Sequence, residues 1–429
     1  MRRLMIATGL LTALSLPAAA GQIGDQLAQR LYDGTLDEIA EETHELCYQF
    51  DTEACFARGL HELITSYEGL SQAMYRHGAT DPSMPVMGML LGMGGFEDEA
   101  APANPNPEPL TYESLRDILD AFARGMSGAS IYFQMADMEG DFVIPIDPFK
   151  VRVDLDGNGT AGEAETLAFF LTSLRNRDEA ILFEQPAPSG KVKTKPDAAV
   201  EDTTIGFDNA DAVWLAGYST VAAVPVELIL AHDFSDFFNA YLHLVFPKAG
   251  LPMEGHNPRG DSFLGEGSDA FFADLIAGIH TMNFPVEDPD RLAGVLEKLK
   301  LITSLSRRNW EMILAETDDD RELVPSPTQT SMIPGMTVTQ DTVDAWLATL
   351  DIVDQVLNGE LLVPHWRFEQ GFDLKAWFTT ATRTDLVLLI SGSAALPYIK
   401  PGPIADVQSF AEANEAFGAE WLNYAFWFN

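Results

Sequence analysis

The chain has 429 residues, 46% of them hydrophobic and 10% aromatic, enough apolar side chains to bury a sizeable core and to argue against wholesale disorder. Its 26 basic residues stand against 65 acidic ones, a formal net charge of −39. Such a field repels phosphate backbones and gathers cations, which disfavours nucleic acid as a partner and fits solubility in a salty or cation-rich medium.

The first 20 residues, MRRLMIATGLLTALSLPAAA, run from two arginines through an apolar stretch to small residues ending in Ala18-x-Ala20. That is the order of a secretory signal peptide, so residues 1–20 are expected to be removed and the mature chain to begin near Gly21. The apolar stretch is shorter than the roughly 20 residues that span a bilayer, and no later segment is expected to be apolar for that long. A periplasmic or secreted location follows. The only cysteines, Cys47 and Cys55, form a close pair, which in an oxidising compartment most simply makes a disulfide. A continuous helix would hold them about 12 Å apart, beyond the roughly 7 Å a bridge tolerates, so bonding requires a turn near Asp51-Thr52. Two buried thiols or half of a metal site are the alternatives.

Apolar residues recurring at three and four predict helices over 60–76 and 111–138, the second capped by Thr111. The intervening residues 81–109, rich in Pro, Gly and Met, read as a long loop. Its Met84, Met87, Met89 and Met93 could bind Cu(I), although pliable apolar packing explains them more simply. A helix is expected over 164–176, then an exposed basic connection over 186–202. Asp208 or Asn209 should cap a helix over 210–232 that Pro225 kinks or ends. Further helices are expected over 235–246, 269–282, 289–315, 339–357 and 407–426, with a Gly/Pro-rich loop over 250–268. Strands are few and short: 149–153, 361–363 and 386–390. The fold class is therefore mainly α. It forms a single large helical domain or two closely packed ones, with a possible junction at the Pro-rich run 324–335.

Residues 154–165 read DLDGNGTAGEAE. A hard cation such as calcium wants six to eight oxygens, which one short loop supplies only if alternate side chains converge around a sharp turn. Asp154, Asp156 and Asn158 occupy the first, third and fifth places, Gly159 the sixth, and Glu165 the twelfth. The run resembles the calcium loop of the EF-hand family. The resemblance implies a Ca2+ site. Asp154, Asp156 and Asn158 would ligate through side chains, Thr160 through its backbone carbonyl and Glu165 through both carboxylate oxygens, with water at the place of Gly162. The flanks depart from the family, because Pro145 and Pro148 forbid an ordinary entering helix and no second loop pairs with this one. A structural ion is thus expected rather than a sensor.

Elsewhere chemistry is thinly marked. His44 and His61 begin HEL triplets that do not continue as HExxH, and no GxSxG or Walker loop is complete. In LLVPHWRF, Trp366 and Arg367 could form a polar-aromatic pocket beside His365, although a half-buried structural histidine explains that residue more simply. With Glu311 they define the alternative of an envelope hydrolase. The aromatic row Trp366, Phe368, Phe372, Trp377 and Phe378 reads as core. The segments ILAETDDDREL, LLVPHWRF, ALPY and WFN are similar to those of a group of uncharacterised exported bacterial proteins. That implies bacterial origin and a shared fold, and brings no catalytic residue with it. The expectation is an exported calcium-binding protein with an unidentified protein or small-molecule partner.

Overall fold

The computed structural model describes residues 21–80, 104–137, 142–162, 165, 203–255, 268–317, 319, 322–330, 338–417 and 428. The Met run, most of the predicted helix over 164–176 and the basic connection over 186–202 lie outside these residues.

Helix α1 (Gln22–Asp33) stops at Gly34, whose φ of +67° turns the chain into a 3-10 segment and α2 (Ala40–Cys47). Helix α3 (Thr52–Arg76) begins where the Asp51 carboxylate accepts a hydrogen bond from the Ala54 N–H. It starts earlier than residue 60 because Ala54, Cys55 and Phe56 are buried and extend its apolar face. The tight turn between α2 and α3 sets the Cα atoms of Cys47 and Cys55 4.6 Å apart, and the two are disulfide-bonded. The chain reverses at Phe50 (φ +67°) and Asp51, as the bond requires.

Helix α4 (Tyr112–Ala136) opens on a capping box between Thr111 and Ser114, and α5 (Asn209–Leu230) on one between Asp208 and Asp211. Next come α6 (Ser235–Tyr241), α7 (Ser268–Thr281), α8 (Pro289–Ile313) and α9 (Gln340–Leu357). Asp288 and Thr339 cap the last two. Helices α3, α4, α5 and α8 pack side by side in that order. One core unites α1, α3, α4, α5, α8 and α9 with Val324, Val338 and Phe428, so it draws from both sides of the run 324–335.

The structure refines the expectation for Pro225 and replaces the three predicted strands. Pro225 lies inside α5 without ending it. The carbonyl its missing N–H leaves free is that of Val221, on the exposed edge of the helix where water can reach it, and packing against α4 and α8 holds the helix through the defect. Residues 386–390 form a helix, α11 (Leu386–Ser391), rather than a strand, because Asp385 caps the Leu388 N–H and Gly392 closes the turn at φ +108°. A short apolar run fits either structure by composition. Residues 149–153 likewise begin as a 3-10 turn (Pro148–Lys150) capped by Asp147, and 361–363 contribute only isolated bridges from Leu362 and Val363. Helix α5 is also long and apolar enough to cross a membrane, but half of its most apolar window is buried inside the protein.

Three two-stranded antiparallel sheets tie down the ends of helices. β1 (Ile144–Ile146) pairs with β2 (Ile205–Phe207), β3 (Asn283–Pro285) with β5 (Arg383–Asp385), and β4 (Gly371–Phe372) with β6 (Ile399–Lys400). The short helices α10 (Leu374–Thr380) and α11, with β4 and β6, enclose a second core around Phe372, Trp377 and Phe378. Helix α12 (Ala411–Phe417) returns to the first.

His232 joins the end of α5 to this sheet region. Its Nδ1–H donates to the Leu228 carbonyl at 2.7 Å, and its Nε2 lies 2.8 Å from the Thr384 hydroxyl, which can donate to the neutral ring. Burial lowers its pKa below the usual 6.5. The unfolded chain therefore gains a proton first as pH falls, so this group's stabilisation is complete above pH 6.5 and is lost on acidification through the folded pKa. The urea midpoint should drop below pH 6.5 in the wild type and drop less in His232→Gln. Superimposable pH profiles would contradict this account.

Candidate metal centre

The loop at 154–165 forms a closed oxygen-rich turn. Asp154 accepts hydrogen bonds from the N–H groups of Gly157 and Gly159, one on each carboxylate oxygen and both at 2.9 Å. Asp156 accepts from Asn158 N–H, and Asn158 from Thr160 N–H, each at 2.9 Å. Glu165 closes the ring: one oxygen accepts from Leu155 N–H at 2.9 Å and the other from Gly162 N–H at 2.7 Å. The backbone turns at Gly157 (φ +75°) and at Gly159 (φ +83°), where an L side chain would be strained. Carboxylate oxygens of Asp154, Asp156 and Glu165 lie within 4.8 Å of one another.

These residues fit a hard cation. A carboxylate oxygen has two lone pairs, so one N–H can orient it while leaving one for an ion; Glu165 Oε1, which also accepts from Asp156 N–H at 3.3 Å, is the exception, leaving that residue's other oxygen for an ion. The N–H bonds also hold three negative charges in one small turn, an arrangement that mutual repulsion would otherwise open.

Helix α3 supports the loop from outside. Gln72 Nε2 donates to the Asp154 carbonyl at 2.8 Å and the Ser71 hydroxyl to the Leu155 carbonyl at 3.1 Å. Glu68 accepts from Asp154 N–H at 2.9 Å. Burial, together with the charges of Asp154, Asp37 and Glu165, raises the Glu68 pKa despite that hydrogen bond. On the other side Arg152 N–H donates to the Leu31 carbonyl at 3.0 Å, and Val153 N–H to the Glu165 carbonyl at 2.9 Å. The C-terminal half of α3 thus packs against the first residues of the loop. Sequence spacing gave no sign of this contact, because Glu68 and Asp154 are far apart along the chain.

The residues of the hydrolase alternative have structural partners. His365 Nε2 donates to the carbonyl of Leu389 at 3.1 Å, Trp366 Nε1 to that of Ile390 at 2.8 Å, and Arg367 Nε to that of Ser391 at 2.6 Å. Those are consecutive carbonyls at the end of α11, where backbone partners run out; only that of Leu389 also accepts from the Gly392 N–H, at 3.2 Å. The Arg367 guanidinium also lies 4.4 Å from the centre of the exposed Trp366 ring. Glu311 pairs with Arg308, which in turn binds Asp137 at the end of α4. Of the aromatic row, Phe372, Trp377 and Phe378 are core and Phe368 packs against them.

A second acidic group escaped sequence reading. Carboxylates of Asp208, Glu316 and Glu322 meet within 4.8 Å at the start of α5, with Asp211 beside them. Only Asp208 had a readable role, as a helix cap; nothing in the spacing of DDDRE points to a partner a hundred residues upstream. Burial and the charges of Asp208 and Glu322 hold the Asp211 carboxyl well above the usual 3.8. The fold thus keeps a proton that the unfolded chain releases. This group's stabilisation is complete below pH 3.8 and is lost as pH rises through the folded pKa. Asp211→Asn, which retains an acceptor for the Asp208 N–H, should raise the melting temperature at pH 7 and leave it unchanged near pH 4. A lower melting temperature at pH 7 would refute that.

In comparisons with protein-family models, with curated proteins and with solved structures, nothing matches this chain.

Proposed function

We propose that this is an exported calcium-binding protein of the bacterial envelope, periplasmic or secreted, in which the ion is structural and the helical body binds a protein or small-molecule partner. The observation that carries the reading is the convergence of the Asp154, Asp156 and Glu165 carboxylates around a turn set by Gly159. With the Asn158 side chain, the Thr160 carbonyl and a water, these residues would complete the six to eight oxygens calcium takes. Bound calcium would neutralise the loop's charges and fix it between Leu31 and α3. Two observations support the structural role: Gln72 and Ser71 already anchor the loop's first residues, and no second loop pairs with it among the described residues, whereas a sensor moves two helices about its site. Millimolar calcium outside the cell fills even a site of about 10⁻⁴ M. The Cys47–Cys55 disulfide supports export, since such bonds persist in oxidising compartments.

The test is calorimetric titration of calcium into chelator-stripped protein lacking residues 1–20, paired with thermal melts. One equivalent of saturable binding and a higher melting temperature are expected. Absence of saturable heat at millimolar calcium would leave residues 154–165 an acidic turn.

A further inference from the structure

We infer that the groove between α3 and α4 is a binding site for a small organic anion with an apolar body, such as a carboxylate on a short alkyl chain. This goes beyond the calcium reading and does not depend on it.

The two helices touch closely at one end, where a Cβ on Gly59 would meet the Phe133 ring at 2.6 Å. Toward the other end they leave a groove of about 510 Å³, within the range of small-molecule sites. Glycines make that space. A Cβ on Gly69 would meet nothing within 4 Å, so the groove is open there, whereas Gly125 admits the Ser66 hydroxyl where a side chain would clash. Phe122, a core residue, and Leu70 provide an apolar floor.

The polar lining is cationic in a chain of net charge −39. Arg124 is paired with Asp120, and Glu62, the one acid of the lining, is neutralised by Arg58. Arg76, exposed at the last turn of α3, has no side-chain partner among the described residues. An uncompensated guanidinium presents a planar fork of N–H donors that matches a carboxylate in two parallel bonds. Arg76, unpaired among the described residues and beside an apolar floor, thus selects a ligand with one anionic end and one apolar end. Electrostatics disfavours a larger anionic surface, which the rest of this acidic chain would repel.

The experiment titrates octanoate into the full mature chain by calorimetry, with calcium present throughout because Gln72 touches both the groove and the loop at 154–165. Octanoate is expected to saturate at one equivalent, and 1-octanol to bind at least about tenfold more weakly. Arg76→Gln should weaken octanoate about tenfold or more, a surface change that leaves the fold intact. Gly69→Leu should abolish binding by filling the groove while keeping or raising the melting temperature, since leucine is the better helix former. The inference is overturned if octanoate fails to saturate below about 10 mM, if octanol binds as well, or if binding survives either substitution unchanged. Calcium heats are measured in a separate titration, so failure of the calcium site and failure of the groove are told apart.

Discussion

Asp154→Ala is expected to lower calcium affinity about 100-fold or more, equivalent to about 2.8 kcal/mol, and to remove the calcium-dependent rise in melting temperature. In the wild type, calcium at 100 times its dissociation constant should add about 2.7 kcal/mol of stability. Among the proposed ligands Asp154, like Glu165, also holds a backbone N–H group on each of its two oxygens, those of Gly157 and Gly159. Its removal therefore loses both a ligand and the turn that gathers the others. Asp156→Asn separates these effects. It keeps an acceptor for Asn158 N–H and removes a charge, so it should weaken calcium binding while the metal-free melting temperature stays near the wild-type value. If calcium raised the melting temperature of Asp154→Ala as much as that of the wild type, the ion would be bound elsewhere, and the Asp208, Glu316 and Glu322 group would be the next place to look.

The second large effect lies in the main core. Trp310 is fully buried, with its ring 4.6 Å from that of Phe428. Its indole N–H donates to the Phe428 carbonyl at 3.1 Å; the Ser306 hydroxyl donates to the same carbonyl at 2.8 Å and accepts from Trp346 Nε1 at 2.9 Å. Trp310→Ala should cost about 3–5 kcal/mol, because a large cavity opens at a site whose neighbours, on α8, α9 and the chain's end, are fixed by their own packing. Trp310→Phe keeps most of the ring and loses one hydrogen bond, for about 1 kcal/mol of that cost, plus whatever the smaller ring leaves unfilled. The measurement is the urea midpoint of each variant with the slope of the transition compared. An unchanged midpoint in Trp310→Ala would mean that Phe428 does not seal this core.

What was legible in the sequence was local. Thr111 and Asp208 are readable as caps because a side-chain oxygen two or three residues from an orphan N–H finds it whatever surrounds the helix. The same reach explains the turn between Cys47 and Cys55 and the short-range hydrogen bonds within 154–165. The mainly α architecture follows from apolar residues at helical period over long segments.

Tertiary structure decided what depends on neighbours remote in sequence. Pro225 is accommodated because α4 and α8 hold α5 on both sides. The partners of His365, Trp366 and Arg367, the last carbonyls of α11, lie 24 residues away along the chain. The clustering of Asp208 with Glu316 and Glu322, the docking of the loop on Glu68, Ser71 and Gln72, and the groove beside Arg76 arise only when helices pack. A sequence specifies each charge and its nearest neighbours along the chain, whereas burial and convergence depend on which helix faces are pressed together by the common core.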